Sequence, residues 1–266
     1  MLETTLLVAG GLVAGTLGGL LGLGGGVVLM PLLRFIVGLS PAHAAGTCVL
    51  AVFFTTLGGS YRHYRLGHVK VRSLVTIILA GAVGTVVFSL VFQYLSTRER
   101  WLDLGLGLFF LIVSARMILE SIADRDREAK STTKQESFLN QAGTKKLQRI
   151  AIGAAGGTLP GLLGVGTGII LVPSFSYILG APIKVAMGSS LTCFCANAFI
   201  SSSMKMTQGF VDLGIALPIC IGTFVGANLG AGLNKRFSSR MVRLLFGVVF
   251  FCVSIKFILS FLEVQM

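Results

Sequence analysis

The chain has 266 residues, 54% of them hydrophobic and only 12% charged, about half the charged share of an ordinary soluble domain. Lys and Arg number 22 against 10 Asp and Glu, for a net charge of +12. Most of these bases sit in short connectors between apolar runs, a distribution that membrane topology explains without nucleic acid.

In chain order, apolar stretches cover 5–38, 44–60, 73–95, 101–120, 150–181, 185–204, 211–233 and 241–262. Their lengths suit a bilayer, which needs roughly 20 apolar residues per helical crossing. The expected fold is therefore an all-α polytopic membrane protein. The first run is the exception in length. As one helix, residues 5–38 would extend about 51 Å, against a hydrocarbon core of roughly 30 Å. Gly22, Gly24, Gly25 and Gly26 interrupt it near the middle, which predicts a broken or re-entrant helix pair followed by three ordinary spans. The opening M-L-E-T-T has no basic stretch and no cleavage motif, so no cleaved signal peptide is expected.

Residues 121–149 form the one hydrophilic stretch of any length and read as a solvated linker. The expected division is a first transmembrane repeat at 1–121, a cytoplasmic linker at 122–148 and a second repeat at 149–266. The halves carry one pattern. Gly19–Pro31 reads G-L-L-G-L-G-G-G-V-V-L-M-P and Gly161–Pro173 reads G-L-L-G-V-G-T-G-I-I-L-V-P, an offset of 142 residues, 161 less 19. The same offset pairs Gly15 with Gly157, Gly46 with Gly188, Ser60 with Ser202, Gly84 with Gly226 and Gly105 with Gly247.

Charge gives the halves opposite senses. The connector Tyr61–Arg72 is strongly basic, whereas its counterpart near Lys205–Asp212 carries one Lys and one Asp. In the second half the basic connector is the next one, Lys235–Arg243. Positive connectors stay in the cytoplasm, so the repeats are expected to be inverted, with both termini outside.

Inverted repeats with broken helices hold substrate near the midplane at the repeat interface. A helix restarting there aims unpaired N–H groups and a positive dipole end inward, and glycine permits close approach to its backbone. Such a site suits a small oxyanion. The candidate substrate-binding residues are Gly24, Gly25, Gly26, Gly166, Thr167 and Gly168 at the breaks. Beside them stand the repeat equivalents Thr47 and Ser189, with Ser190 and Asn197. Gly81, Gly84, Gly222, Gly226 and Gly230 read instead as helix-packing glycines. Neither block ends in G-K-[ST], which excludes a phosphate-binding P-loop.

Arg34, Arg116 and Lys256 lie within or near apolar runs, close enough to helix ends to snorkel. The five cysteines show no CxxC spacing and read as small apolar residues. Cys193 and Cys195, two apart on a helix, point about 200° away from each other. No catalytic pair, metal cluster or cofactor motif is found, so the expected partners are a small anion and the lipid bilayer. No carboxylate falls in the middle of an apolar run, and an inside-negative potential favours departure of an anion by roughly 2.3 kcal/mol per charge per 100 mV. Export fits that balance. The residues alone leave open a permease for an organic acid or a cation, a scaffold or sensor docking a partner on the linker, and any oligomeric state.

At the duplicated glycine blocks, with Gly46-Thr47 and Gly188-Ser189 and with Gly67–Val69 and Gly209–Val211, the sequence resembles the TauE/SafE family of sulfite exporters over nearly its whole length. That resemblance implies transport of sulfite, a sulfonate or a related organosulfur anion across a prokaryotic plasma membrane. Thr167 departs from the first block, where Gly25 stands.

Overall fold

The computed structural model describes residues 2–69, 71–123, 146–233 and 239–263. Of the expected linker 122–148, residues 124–145 fall outside the described residues. Every described element is helical. Helix α1 covers Leu2–Leu21, α2 Gly26–Pro31, α3 Pro41–Arg65, α4 Val75–Leu95 and α5 Glu99–Ala123. The second half repeats the order, with α6 at Lys146–Leu162, α7 at Gly168–Pro173, α8 at Ile183–Thr207, α9 at Leu213–Leu233 and α10 at Ser239–Glu263. Both α2 and α7 continue as five residues of π-helix, Leu32–Ile36 and Ser174–Ile178. The bounds of α2, its π-segment and α3 reappear in the second half displaced by the offset of the glycine blocks.

Pro41–Arg65, Val75–Leu119, Ile183–Thr207 and Leu213–Gly232 are long and apolar enough to cross a membrane, and the second of these stretches contains both α4 and most of α5. Large apolar side chains stand exposed along α4, α5, α9 and α10, among them Leu79, Val83, Ile112, Ile221 and Phe251. Buried hydroxyls and amides are concentrated instead on α3 and α8, which carry Thr47, Thr55, Thr56, Ser189, Ser190, Asn197 and Ser201. The most polar spans are thus the central ones, and the outer helices present hydrocarbon to hydrocarbon.

The halves interlock. Gly11, Gly15 and Gly19 of α1 press on the backbone of Ile219, Thr223 and Ala227 in α9. Their equivalents Gly153, Gly157 and Gly161 of α6 press on α4 around Ile77, Gly81 and Thr85. Gly222, Gly226 and Gly230 supply the α9 side of the first seam, against Val8, Leu12 and Thr16. Lipid gives helices no hydrophobic reason to associate, so backbone contact at small residues must supply the attraction.

Equivalent helices also meet each other, running antiparallel. Along α3, Phe53, Ser60 and His63 face Phe199, Thr192 and Gly188 of α8, numbers rising on one side and falling on the other. Between α5 and α10, Ser114 Oγ donates to Gly247 O at 2.7 Å and Ser254 Oγ donates to Gly107 O at 3.1 Å. The two bonds are reciprocal between residues 140 apart, 254 less 114, pairing Ser114 with Ser254 and Gly107 with Gly247. The same displacement relates the bounds of α5 and α10, so the 142-residue offset that pairs Gly105 with Gly247 does not hold on these helices.

The seams make a prediction. Gly157→Ala drives a methyl into the Gly81 carbonyl and is expected to cost about 1–3 kcal/mol. Gly232→Ala meets nothing nearer than Arg62 Nη2 at 3.7 Å and is expected to be neutral or to stabilise by up to about 1 kcal/mol. Thermal melting in detergent reads both, and equal effects would remove the seams as a source of stability.

Candidate functional site

Two backbone breaks meet between α3 and α8. The first passes through Gly22, Gly24 and Gly25, all left-handed at φ of 71°, 82° and 73°. Glycine takes this conformation without the penalty of a Cβ. The chain closes on itself there, with Leu23 N and Gly24 N both donating to Gly18 O. The second break has one left-handed residue, Gly164, and then Thr167 at φ −91°, ψ −4°. A right-handed φ accommodates a side chain, which is why threonine stands where the first half requires glycine.

Each restarted helix begins on the opposite break. Gly26, the first residue of α2, abuts Gly166 N and Val165, while Gly168, the first residue of α7, abuts Gly22 and Leu23. Gly166 itself lies against Leu23 O. A Cβ at any of these three positions would strike backbone. The room that glycine leaves is occupied by the other break, and the cavity beside the first break, bordered by Gly18, Leu23 and Gly25, has a volume of about 10 Å³, room for a single water. A recess of about 300 Å³ opens at the end of α3, bordered by Tyr61, Tyr64 and Val71, with Ser60 and Thr192 at its base joined by a 2.8 Å hydrogen bond.

The candidate side chains divide. Gly24 packs on Phe194 and Thr56, and Gly25 on Ala14 O and Thr55. Thr167 Oγ1, Ser190 Oγ and Asn197 Oδ1 are buried with no hydrogen-bond partner. Such groups are costly to bury unpaired. Thr167 lies at the second break, whereas Asn197 faces Gly81 of α4. Ser189 is buried on α8. Thr47 is committed elsewhere, its Oγ1 accepting from Asp212 N at 3.1 Å.

The three basic residues of the apolar runs tie the broken helices to α5 and α10. Arg34, in the first π-segment, holds Asp103 through Nε at 3.2 Å and Nη2 at 2.9 Å. Arg116 donates to Ile169 O, the carbonyl that Pro173, four residues on and lacking an N–H, leaves unpaired. Lys256 Nζ stands 5.0 Å from the Phe35 ring centre.

Lys205 is the functional candidate that sequence reasoning misplaced, having assigned it to a connector. It is fully buried near the end of α8. Its Nζ donates to Pro160 O at 2.9 Å, Gly161 O at 2.6 Å and Ser201 Oγ at 3.1 Å, beneath the Phe92 ring at 4.3 Å. Those carbonyls belong to the last turn of α6, just before the second break. The helical i, i+4 spacing from Ser201 was the available signal. Its repeat equivalent, His63, turns instead to His68, Nδ1 to Nδ1 at 3.2 Å. Burial, and then the charge of Lys184, hold His68 below its ordinary pKa. Among the described residues no group of three or more metal-ligating side chains forms.

The family model described as Sulfite exporter TauE/SafE matches residues 7–257. The chain is similar to a probable membrane transporter protein, YunE, of Bacillus subtilis, at 27% identity over 95% of this chain and 96% of that protein. A probable membrane transporter protein of Xylella fastidiosa is 30% identical over 93% of this chain and 91% of its own length. Another, MJ0441 of Methanocaldococcus jannaschii, is 27% identical over 92% and 91%. No solved structure matches.

The unequal backbones of the breaks are open to test. Gly25→Thr, which copies the second break into the first, is expected to cost about 2 kcal/mol through its left-handed conformation and its encounter with Ala14 O. Thr167→Gly is expected to cost less than about 1 kcal/mol. Melting temperatures in detergent decide, and a tolerated Gly25→Thr would show that the left-handed turn is dispensable.

Proposed function

This chain belongs to the TauE/SafE family of membrane transporters, and on that premise we propose that it exports a small oxyanion, sulfite or an organosulfonate, across the plasma membrane. The two halves, 1–121 and 149–266, serve as inverted repeats joined by a cytoplasmic linker at 122–148. The antiparallel contact of α3 with α8 supports this reading, as does the shift of the basic connector between halves. No cofactor enters the cycle, and the chain is not an enzyme on this reading.

One observation carries the proposal: two broken helices meet among buried polar side chains, with the unpartnered Thr167 hydroxyl at the restart of the apolar helix Gly168–Ile178. A helix start presents N–H donors and the positive end of its dipole, and a threonine hydroxyl adds a further donor. Anions with several oxygens match that set. Cations and neutral apolar solutes do not. Non-helical backbone at bilayer depth is tolerated where it borders protein or a wet path, so a transport cycle has the breaks part and admit substrate. The recess at the end of α3 lies beside the basic connector Tyr61–Arg72 and serves as the cytoplasmic entrance, with the Ser60–Thr192 bond as its floor. Outward movement of an anion runs with an inside-negative potential, at roughly 2.3 kcal/mol per charge per 100 mV.

Ligand-dependent melting of the purified protein tests the assignment. Sulfite or sulfoacetate at a hundred times its dissociation constant is expected to stabilise by about 2.7 kcal/mol, chloride to have no effect, and Thr167→Leu to abolish the gain. Absence of a shift with every oxyanion at millimolar concentration would sink the anion assignment and leave the family membership standing.

A further inference from the structure

The two breaks are unequal in charge as well as in backbone. Each receives the C-terminal end of a half-helix, α1 in the first and α6 in the second. Such an end carries partial negative charge from its unpaired carbonyls. Aimed at an anion site it would repel substrate. At the first break the chain answers with its own backbone, Leu23 N and Gly24 N on Gly18 O. At the second, Leu163 N and Gly164 N close in the same way on Leu159 O, and Pro160 O and Gly161 O receive in addition the ammonium of Lys205.

Lys205 spends its donors on the protein. An ammonium has three N–H donors, and all three are engaged, by the two carbonyls and by Ser201 Oγ. Phe92 of α4 covers it at 4.3 Å. The titratable group that interacts with it electrostatically is Cys48 of α3, whose Sγ donates to Gly26 O at the start of α2. With no donor left for a ligand, Lys205 acts on substrate through its field. In a dry interior that field is far less attenuated than in water. His63, at the equivalent position of the first half, faces His68 at 3.2 Å between two Nδ1 atoms. One of those atoms must accept, so at least one ring of the pair is neutral. An independent mark of ligand recognition lies on the same side as the lysine: Thr167 Oγ1, fully buried and unpartnered at the second break.

We infer that Lys205 is the specificity-determining charge of the transport site: it reverses the sign of the α6 end, so that the second break alone holds the anion and dianions are favoured over monoanions. The inference rests on the anion-transport reading. Lys205 is a positioning and field-setting residue, and it does not touch substrate.

The test uses the purified full chain and two sulfur oxyanions of similar size. These are sulfate and methanesulfonate in mildly acidic buffer, where the first is a dianion, the second a monoanion and the lysine an ammonium. Removing one buried charge weakens attraction in proportion to ligand charge. Lys205→Gln is therefore expected to lower the ratio of dianion to monoanion affinity about tenfold, and Lys205→Arg to keep it near that of the unsubstituted protein. A merely structural lysine would lower both affinities by the same factor, and an unchanged ratio in folded Lys205→Gln overturns the inference. A second measurement holds whether or not that variant folds. Thr167→Val is expected to weaken both anions about tenfold, the loss of a hydrogen bond to a charged group. Thr56→Val, beside the first break, is expected to leave them unchanged, and equal losses from the two would overturn the one-sided site. If the unsubstituted protein binds neither anion, the anion reading itself fails. If it binds both and only the ratio or the threonine asymmetry is missing, this inference alone fails.

Discussion

A backbone amide in hydrocarbon must find a partner within the protein, and the architecture follows from breaking two helices under that constraint. A broken helix exposes carbonyls at one end and N–H groups at the other, with no water to receive them. Here the breaks are set against each other between the two most polar spans, and Gly26, Gly166 and Gly168 permit the approach. The carbonyls are met locally by Leu23 N and Gly24 N in one break, and by Leu163 N, Gly164 N and the ammonium of Lys205 in the other. The prolines that end α2 and α7 create further gaps in the ladder, and Arg116 fills the one at Ile169. Charged residues that look misplaced in an apolar sequence are thus largely accounted for by the breaks they serve.

The glycine seams belong to the same logic at longer range. The interlocked pairs, α1 with α9 and α6 with α4, each join one half to the other. Neither half-helix α1 nor α6 therefore packs chiefly within its own repeat. Dispersion between touching backbones substitutes for the hydrophobic effect that a soluble bundle would use. Reciprocal serine bonds then join α5 to α10 at the periphery.

Much of this was legible in the residues. The clustered glycines located both breaks because a run of apolar residues too long for one span and too short for two has to bend, and glycine marks where. The offset between Gly19–Pro31 and Gly161–Pro173 carried over to the boundaries of α3 and α8. Helices α4 and α9 are instead displaced by 138 residues, 213 less 75, and α5 and α10 by 140, 239 less 99, so the offset's pairing of Gly84 with Gly226 and Gly105 with Gly247 did not hold. The small residues Gly81, Gly84, Gly222 and Gly226 sit at helix contacts, as their spacing suggested. What escaped was whatever depends on a third element. Lys205 looked like a connector residue because charge near a helix end normally reaches water, and only the position of α6 beneath it makes burial tolerable. Thr47 resembled Ser189 in sequence, yet its hydroxyl is taken by Asp212 N, a contact with α9 that no local pattern encodes. The left-handed turn at Gly24 and Gly25 and its absence at Gly166 and Thr167 are likewise tertiary outcomes.

Duplication explains why the halves match, and divergence explains how they differ in use. Both breaks close on their own backbone, and on the proposed reading only the second adds a buried cation to its helix end. The first half kept three left-handed glycines and needs no side chain to finish its turn. The second has one left-handed glycine there and closes on Leu159 O through Leu163 N and Gly164 N, carries a side chain at Thr167, and adds Lys205 and Ser201 to its carbonyls. The position that carries Lys205 in one half carries His63 in the other, paired with His68 and away from the break. Symmetry in such a fold supplies the frame, and the chemistry resides in the few positions where the two copies no longer agree.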